Sequence, residues 1–136
     1  MRFATPRSRA IALTAAFATV CAGLLSRKTE LLLSTFGKYP GDALWSVMVY
    51  FLVAAAAPRL SRLVVATWAV VISFGVEFSQ LLTMPWLRDF RATTIGHLML
   101  GSTFNAPDLL AYAGGVALAF CMDTWLTRSA FYETDA

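Results

Sequence analysis

Glu77 is the residue of this sequence best placed to do chemistry. It lies in Ser73-Phe-Gly-Val-Glu-Phe-Ser-Gln-Leu-Leu82, with apolar residues on both sides. A carboxylate in such surroundings is costly unless it has partners, so it is expected to turn inward and find them. Gln80 follows three residues later and Ser73 precedes by four, which places all three on one helical face. Such a group could act as acid or base toward water, carry a proton, contact a head group, or simply lock neighbouring helices. Asp108 is the second carboxylate of interest. It follows Pro107 and precedes Leu109-Leu-Ala-Tyr112. An aspartate there caps a helix start or faces Glu77 across a site, and Tyr112, four residues on, shares its face. Asp42, in Lys38-Tyr-Pro-Gly-Asp-Ala-Leu-Trp45, follows a Pro-Gly turn and reads equally as a cap or a site residue. Arg88 and Arg91, in Arg88-Asp89-Phe90-Arg91, are solvated membrane-edge charges or, with Arg27 and Lys28, an attraction for phosphates and anionic head groups. The catalytic candidates are therefore Glu77 and Asp108. The ligand-binding candidates are Asp42, Gln80, Tyr112, Arg88 and Arg91.

Other chemistries find little support. His97, in Thr93-Thr-Ile-Gly-His-Leu98, is the only histidine, so a multi-histidine metal site is not expected and no cofactor is implied. Its remaining role is that of an acid or hydrogen-bond donor near the outer site. Cys21 and Cys121 are expected at different depths, too far apart for a disulfide. Asp123 is expected to snorkel to an interface or to pair with Arg128. There is no GxSxG elbow, no HExxH, no glycine-rich phosphate loop and no CxxC. The net charge of +3 suits membrane orientation better than nucleic-acid binding.

The elements that must position these residues follow from composition. Of 136 residues, 58% are hydrophobic and 14% charged, against roughly 45–50% and 25% in ordinary soluble domains. Too little polar surface is left to cover a soluble enzyme. Ala10 to Leu25 and Ala43 to Ala57 carry no charge, Leu63 to Leu87 carries only Glu77, and Leu109 to Thr127 only Asp123. A spanning helix needs about 20 mainly apolar residues. These runs predict an all-α polytopic membrane protein, a small bundle of four transmembrane helices near 8–26, 41–57, 63–87 and 108–127. The whole chain, 1–136, reads as one transmembrane domain. Residues 92–106 are apolar but hold Gly96, His97, Gly101 and Asn105 and stop at Pro107, which suggests a short re-entrant or interfacial segment. The first segment reads as an uncleaved anchor, because further hydrophobic segments follow at once and Val20 before Cys21 is a poor lipoprotein cleavage site.

Basic residues set orientation. Arg2, Arg7 and Arg9 precede the first span, and Arg59 and Arg62 sit in a tight connection without a nearby acid. Both termini and that connection are therefore expected in the cytoplasm, in a bacterial inner membrane. On this map Asp42, Glu77, Gln80, Asp108 and Tyr112 converge at the outer depth, beside Arg27, Lys28, Lys38, Arg88 and Arg91. Trp45, Trp86 and Tyr39 fall where interfacial aromatic anchors would lie.

Three segments together carry a resemblance: Lys38-Tyr-Pro-Gly-Asp-Ala-Leu-Trp45, Val76-Glu77-Phe-Ser-Gln80 and Arg91-Ala-Thr-Thr-Ile-Gly96. Over roughly Gly23 to Asp123 the chain resembles the bacterial membrane family of domain of unknown function 2809. That resemblance implies a small polytopic inner-membrane protein without an assigned reaction. More distantly it is similar to the VanZ-like membrane family, linked to teicoplanin resistance and cell-envelope phenotypes. Asp42, Glu77 with Gln80, and Asp108 with Tyr112 would take the places of that family's polar motifs. Ala111 departs from it, standing where the family tends to place an asparagine.

Three functions compete on these readings. The first is an envelope-associated protein that binds a lipid head group or a membrane partner through an outward-facing polar cluster; a phosphate-bearing or polyprenyl-linked head group fits its charges. The second is a membrane-embedded enzyme acting on a phospholipid or lipid-linked cell-wall precursor, with Glu77 or Asp108 as acid or base. The third is a small proton-coupled transporter, for which a homodimer would have to build the pathway. Membrane lipids are the expected partners in all three.

Overall fold

The computed structural model describes residues 7–29 and 34–134, with side chains to residue 128. It contains helices α1 (Arg9–Lys28), α2 (Tyr39–Ala56), α3 (Arg62–Ser79), α4 (Pro85–Ala92), α5 (Thr94–Leu100) and α6 (Ala106–Thr134). A helical turn at 34–36 precedes α2, and no strand occurs among the described residues. Four helices are long and apolar enough to cross a bilayer: α1, α2, α3 and the stretch Ala106–Arg128 of α6. The expected all-α bundle with four spanning helices is what forms.

Local signals set the helix starts. Ser8 caps α1 by accepting from the Ile11 N–H at 3.4 Å, and Ser61 caps α3 by accepting from Val64 at 3.3 Å. Pro40 sits in the first turn of α2, where a missing N–H leaves no gap. Large apolar side chains cover the outside: Phe17, Leu63, Trp68 and Leu110 are all more than half exposed. Such a surface would drive a soluble monomer to aggregate, whereas acyl chains accept it.

α2 is the centre of the bundle. It packs against α1, α3 and α6, while among the described helices α1 packs closely only on α2. Val47, Tyr50, Phe51 and Ala54 of α2 meet Ala12 and Ala16 of α1, Val65 and Ala69 of α3, and Val116 and Ala119 of α6. The alanines let backbones approach, as in other membrane bundles where dispersion replaces the hydrophobic effect. Between α2 and α6 the backbones come close at Gly115, where a Cβ would stand 2.1 Å from Ser46 Oγ and 2.2 Å from the Ala43 carbonyl oxygen. Gly114 meets nothing within 4 Å, so only one glycine of that pair serves the packing.

The bundle has two unlike ends. At the termini end, residue 7 lies beside the short connection 57–61, with the Arg7 N–H donating to the Pro58 carbonyl at 3.2 Å. At the loop end lie residues 34–38 and the connection 80–105. The third helix is shorter than the expected 63–87: it stops at Ser79, and Pro85 opens α4. Proline holds Met84 extended, at φ −60° and ψ 135°, so the apolar run breaks although its hydropathy does not. The seven residues of α5 rise only about 10 Å. The 92–106 segment therefore does not cross the bilayer; α5 packs back on α4 and α3.

Candidate functional site

The last turn of α3 delivers Glu77 and Gln80 to the loop end. Glu77 is wholly buried, and three donors converge on its carboxylate. The Asn105 N–H donates to Oε1 at 2.7 Å, the Tyr112 hydroxyl to Oε2 at 3.1 Å, and Gln80 Nε2 to Oε2 at 3.2 Å. Gln80 Nε2 also reaches the Leu100 carbonyl at 2.9 Å. The loop after α5 can come this close because Gly101 adopts φ +63°; a Cβ there would lie 2.6 Å from Gln80 Nε2.

Asp108, in the first turn of α6, is buried beside this group. Asn105 Nδ2 donates to its Oδ1 at 2.6 Å, and the Lys38 ammonium pairs with its Oδ2. Asn105 thus joins the two carboxylates, giving its backbone N–H to Glu77 and its side-chain amide to Asp108. Lys38 lies at the start of α2 with its side chain 54% exposed. Burial alone would lower the pKa of its ammonium. The hydrogen bond to Asp108 and that residue's charge, helped by Asp42 and Glu77, outweigh burial and raise it.

These groups border a cavity of about 470 Å³ whose lining includes Arg27, Lys38, Asp42, Gln80, His97, Asp108 and Tyr112. Glu77 lies behind that lining, held by Gln80 and Tyr112. Two buried acceptors of lining residues, Asp42 Oδ2 and Gln80 Oε1, have no hydrogen-bond partner among the described residues. Arg27, in the last turn of α1, lies over Gly41, with its Nε 3.5 Å from where a Cβ would stand.

The structure therefore gathers Glu77, Gln80, Asp108, Tyr112 and Asp42 at one end of the bundle. Arg88 and Arg91 lie outside the cavity lining. Arg88 is exposed and stands 4.0 Å from Asp89. Arg91 donates to the carbonyls of Ser79 and Leu82, the latter at 3.1 Å, and to Ser79 Oγ at 3.2 Å. It satisfies carbonyls that the end of α3 leaves open. Trp45, expected as an interfacial anchor, turns its ring to Tyr112, with centroids 5.9 Å apart. Asn105 and the pairing of Lys38 escaped the sequence reading. The Asn105-Ala-Pro-Asp108 spacing, a polar residue before a proline helix start, was the available signal.

A second polar group lies at the termini end. Asp123 is buried and accepts from Arg7 Nε at 2.7 Å and from the Tyr50 hydroxyl at 2.8 Å, with Arg62 Nε at 3.8 Å. The expected snorkelling or pairing with Arg128 is overturned. Asp123 turns into the bundle because two guanidinium groups and a phenol meet it there, while Arg128 is exposed. Among the described residues, no cluster of three or more His, Cys, Asp or Glu side chains is arranged to hold a metal ion, and Cys21 and Cys121 are free thiols.

No solved structure matches the chain. A family does: the one described as protein of unknown function (DUF2809) matches residues 31–116. That stretch runs from before α2 into α6 and holds every cavity-lining residue except Ser26 and Arg27 of α1. Because the match covers more than half of the chain, and the part that builds the polar end, this multi-pass membrane protein belongs to the DUF2809 family.

Proposed function

We infer that the protein resides in the bacterial cytoplasmic membrane and binds a lipid head group in the cavity at its loop end, without reacting with it. The observation that carries this reading is the cavity: about 470 Å³ walled by charged and hydrogen-bonding groups at the end of an apolar bundle. Its volume falls within the roughly 300–1,000 Å³ of small-molecule sites. The state of the two central carboxylates favours binding over catalysis. A general base needs a free lone pair within reach of the proton it removes. Glu77 accepts three hydrogen bonds from the protein and lies behind the lining, out of reach of an occupant, and Asp108 is already engaged as the counterion of Lys38 and an acceptor of Asn105.

Orientation follows the basic residues. Arg7, Arg9, Arg59 and Arg62 gather at the termini end, which supports a cytoplasmic location for both termini. The cavity then faces the outer leaflet, the setting of an envelope-associated protein. Reporter fusions after Pro58 and after Lys38 should report inside and outside respectively.

The decisive measurement is the lipid content of the purified protein in nanodiscs. A phosphate-bearing lipid should remain with the wild type after exchange of the surrounding lipid. The double variant Arg27→Ala, Asp42→Ala should lose it at unchanged protein level. A wild type that retains no lipid sinks the reading.

A further inference from the structure

Resting on the head-group reading above, we propose that the occupant is a glycerophospholipid whose head group carries a primary ammonium beyond its phosphate, as phosphatidylethanolamine does. The polar cavity does not end at its own wall. Arg27 and Gly41 also line a second, apolar cavity of about 180 Å³, formed with Val20, Leu44, Met48 and Met99 between α1, α2 and α5. A polar chamber and an apolar groove that share two residues fit an amphiphile, with its head in one and the start of an acyl chain in the other.

The order of charges fixes which head group. Lys38 and Asp108 neutralise each other. Arg27 and Asp42 remain as wall charges, and no ion pair joins them among the described residues. Arg27 is exposed where groove and chamber meet. A phosphate leaving the glycerol backbone arrives there first, and a guanidinium is suited to it. Farther in, the unpartnered groups are both acceptors, Asp42 Oδ2 and Gln80 Oε1. Buried acceptors without donors are costly, so the complementary ligand presents N–H groups at that point. A primary ammonium supplies three and meets the negative charge of Asp42. A second phosphate would meet Asp42 with like charge, and a trimethylammonium has no N–H to give.

Native mass spectrometry of the intact protein released from nanodiscs tests this. The discs hold equal parts of phosphatidylethanolamine, phosphatidylglycerol and phosphatidylcholine with matched acyl chains. Retention of phosphatidylethanolamine should exceed that of either other lipid by about tenfold, the size of one charge-assisted hydrogen bond. Asp42→Asn should abolish the preference, and Arg27→Gln should weaken retention of all three. Met99→Trp, at a half-exposed position of the groove, should weaken retention while keeping the preference. O-phosphoethanolamine, the same head group without acyl chains, should fail to displace the lipid at millimolar concentration; displacement would overturn the part assigned to the groove. Equal retention of phosphatidylcholine, or a preference for phosphatidylglycerol, overturns the ammonium assignment and leaves the head-group reading intact. Retention of none of the three defeats both.

Discussion

The two polar groups of this bundle sit at opposite ends and are finished to different degrees. At the termini end a single carboxylate, Asp123, meets two guanidinium groups and a phenol. Arg7 also gives Nη1 to the Leu60 carbonyl at 2.6 Å, so the N-terminal segment, the 57–61 connection and α6 are tied together. At the loop end Glu77 has three neutral donors, Asp108 has a partly exposed lysine, and Asp42 and Gln80 keep buried acceptors without partners. Buried acids are therefore not equivalent in meaning. An acid enclosed by cations of its own chain is a fastener. An acid that leaves hydrogen-bonding capacity beside a cavity is, on the proposed reading, a place for something else to bind.

The largest expected effect falls on the fastener. Asp123→Ala leaves Arg7 and Arg62 as buried or half-buried charges without a counterion, a loss of about 3–5 kcal/mol for breaking such a pair. The variant should accumulate poorly and unfold in detergent far below wild type, with Asp123→Asn between the two. A stable Asp123→Ala protein with altered lipid retention would erase the distinction between the ends.

A smaller effect is expected at Glu77. Glu77→Ala strands the Asn105 N–H, the Tyr112 hydroxyl and one Gln80 donor, at about 1–3 kcal/mol for each left unpaired; water entering from the adjoining cavity re-satisfies those it reaches, which holds the loss below that at Asp123. Glu77→Gln can keep the Asn105 bond through its carbonyl at the Oε1 position, while its amide at the Oε2 position donates to the Tyr112 hydroxyl, which turns to accept. With only the Gln80 bond lost, it should lie close to wild type in thermal midpoint and lipid retention. If Glu77→Gln folds normally yet abolishes a lipid-dependent activity, the carboxylate itself does the chemistry and the binding reading must give way to catalysis.

How far the two ends could be read from the sequence follows the same division. Charge-free runs and their spacing were enough for four spanning helices, because a bilayer imposes one period and one length on any segment that crosses it. The convergence of Asp42, Glu77, Gln80, Asp108 and Tyr112 was legible too, since alternating helix direction converts position along the chain into depth. The partners of Asp123 were not. Arg7 is 116 residues away along the chain, and which face α6 turns to the N-terminal segment depends on packing around α2. The end of α3 was missed for another reason: Leu81, Leu82 and Met84 are apolar enough to continue a span, and only the backbone restriction before Pro85 breaks it. Arg91 was read by its charge, whereas its position makes it a donor to open carbonyls.

The ends should also differ in their response to alkali, because one uses a lysine where the other uses arginines. The folded-state pKa of Lys38 is raised above its ordinary 10.5 despite burial, by the hydrogen bond and charge of Asp108 with those of Asp42 and Glu77. A cation with a raised folded pKa stabilises fully below its unfolded value, and that contribution is lost as pH climbs through the folded value. The window therefore lies above 10.5. Arginine stays charged throughout it, so the Asp123 group is unaffected. The Lys38 side chain is 54% exposed, and screening limits the pair to less than about 1 kcal/mol. In detergent, wild type should be slightly more stable than Lys38→Met near pH 9, and the difference should close above about pH 11 as the ammonium loses its proton. Lys38→Arg should keep its advantage at both. A difference between wild type and Lys38→Met that survives alkali would assign it to the methylene stem packed over the cavity rim. The loop end would then hold no working ion pair, and its contrast with the Asp123 fastener would be sharper than the static geometry shows.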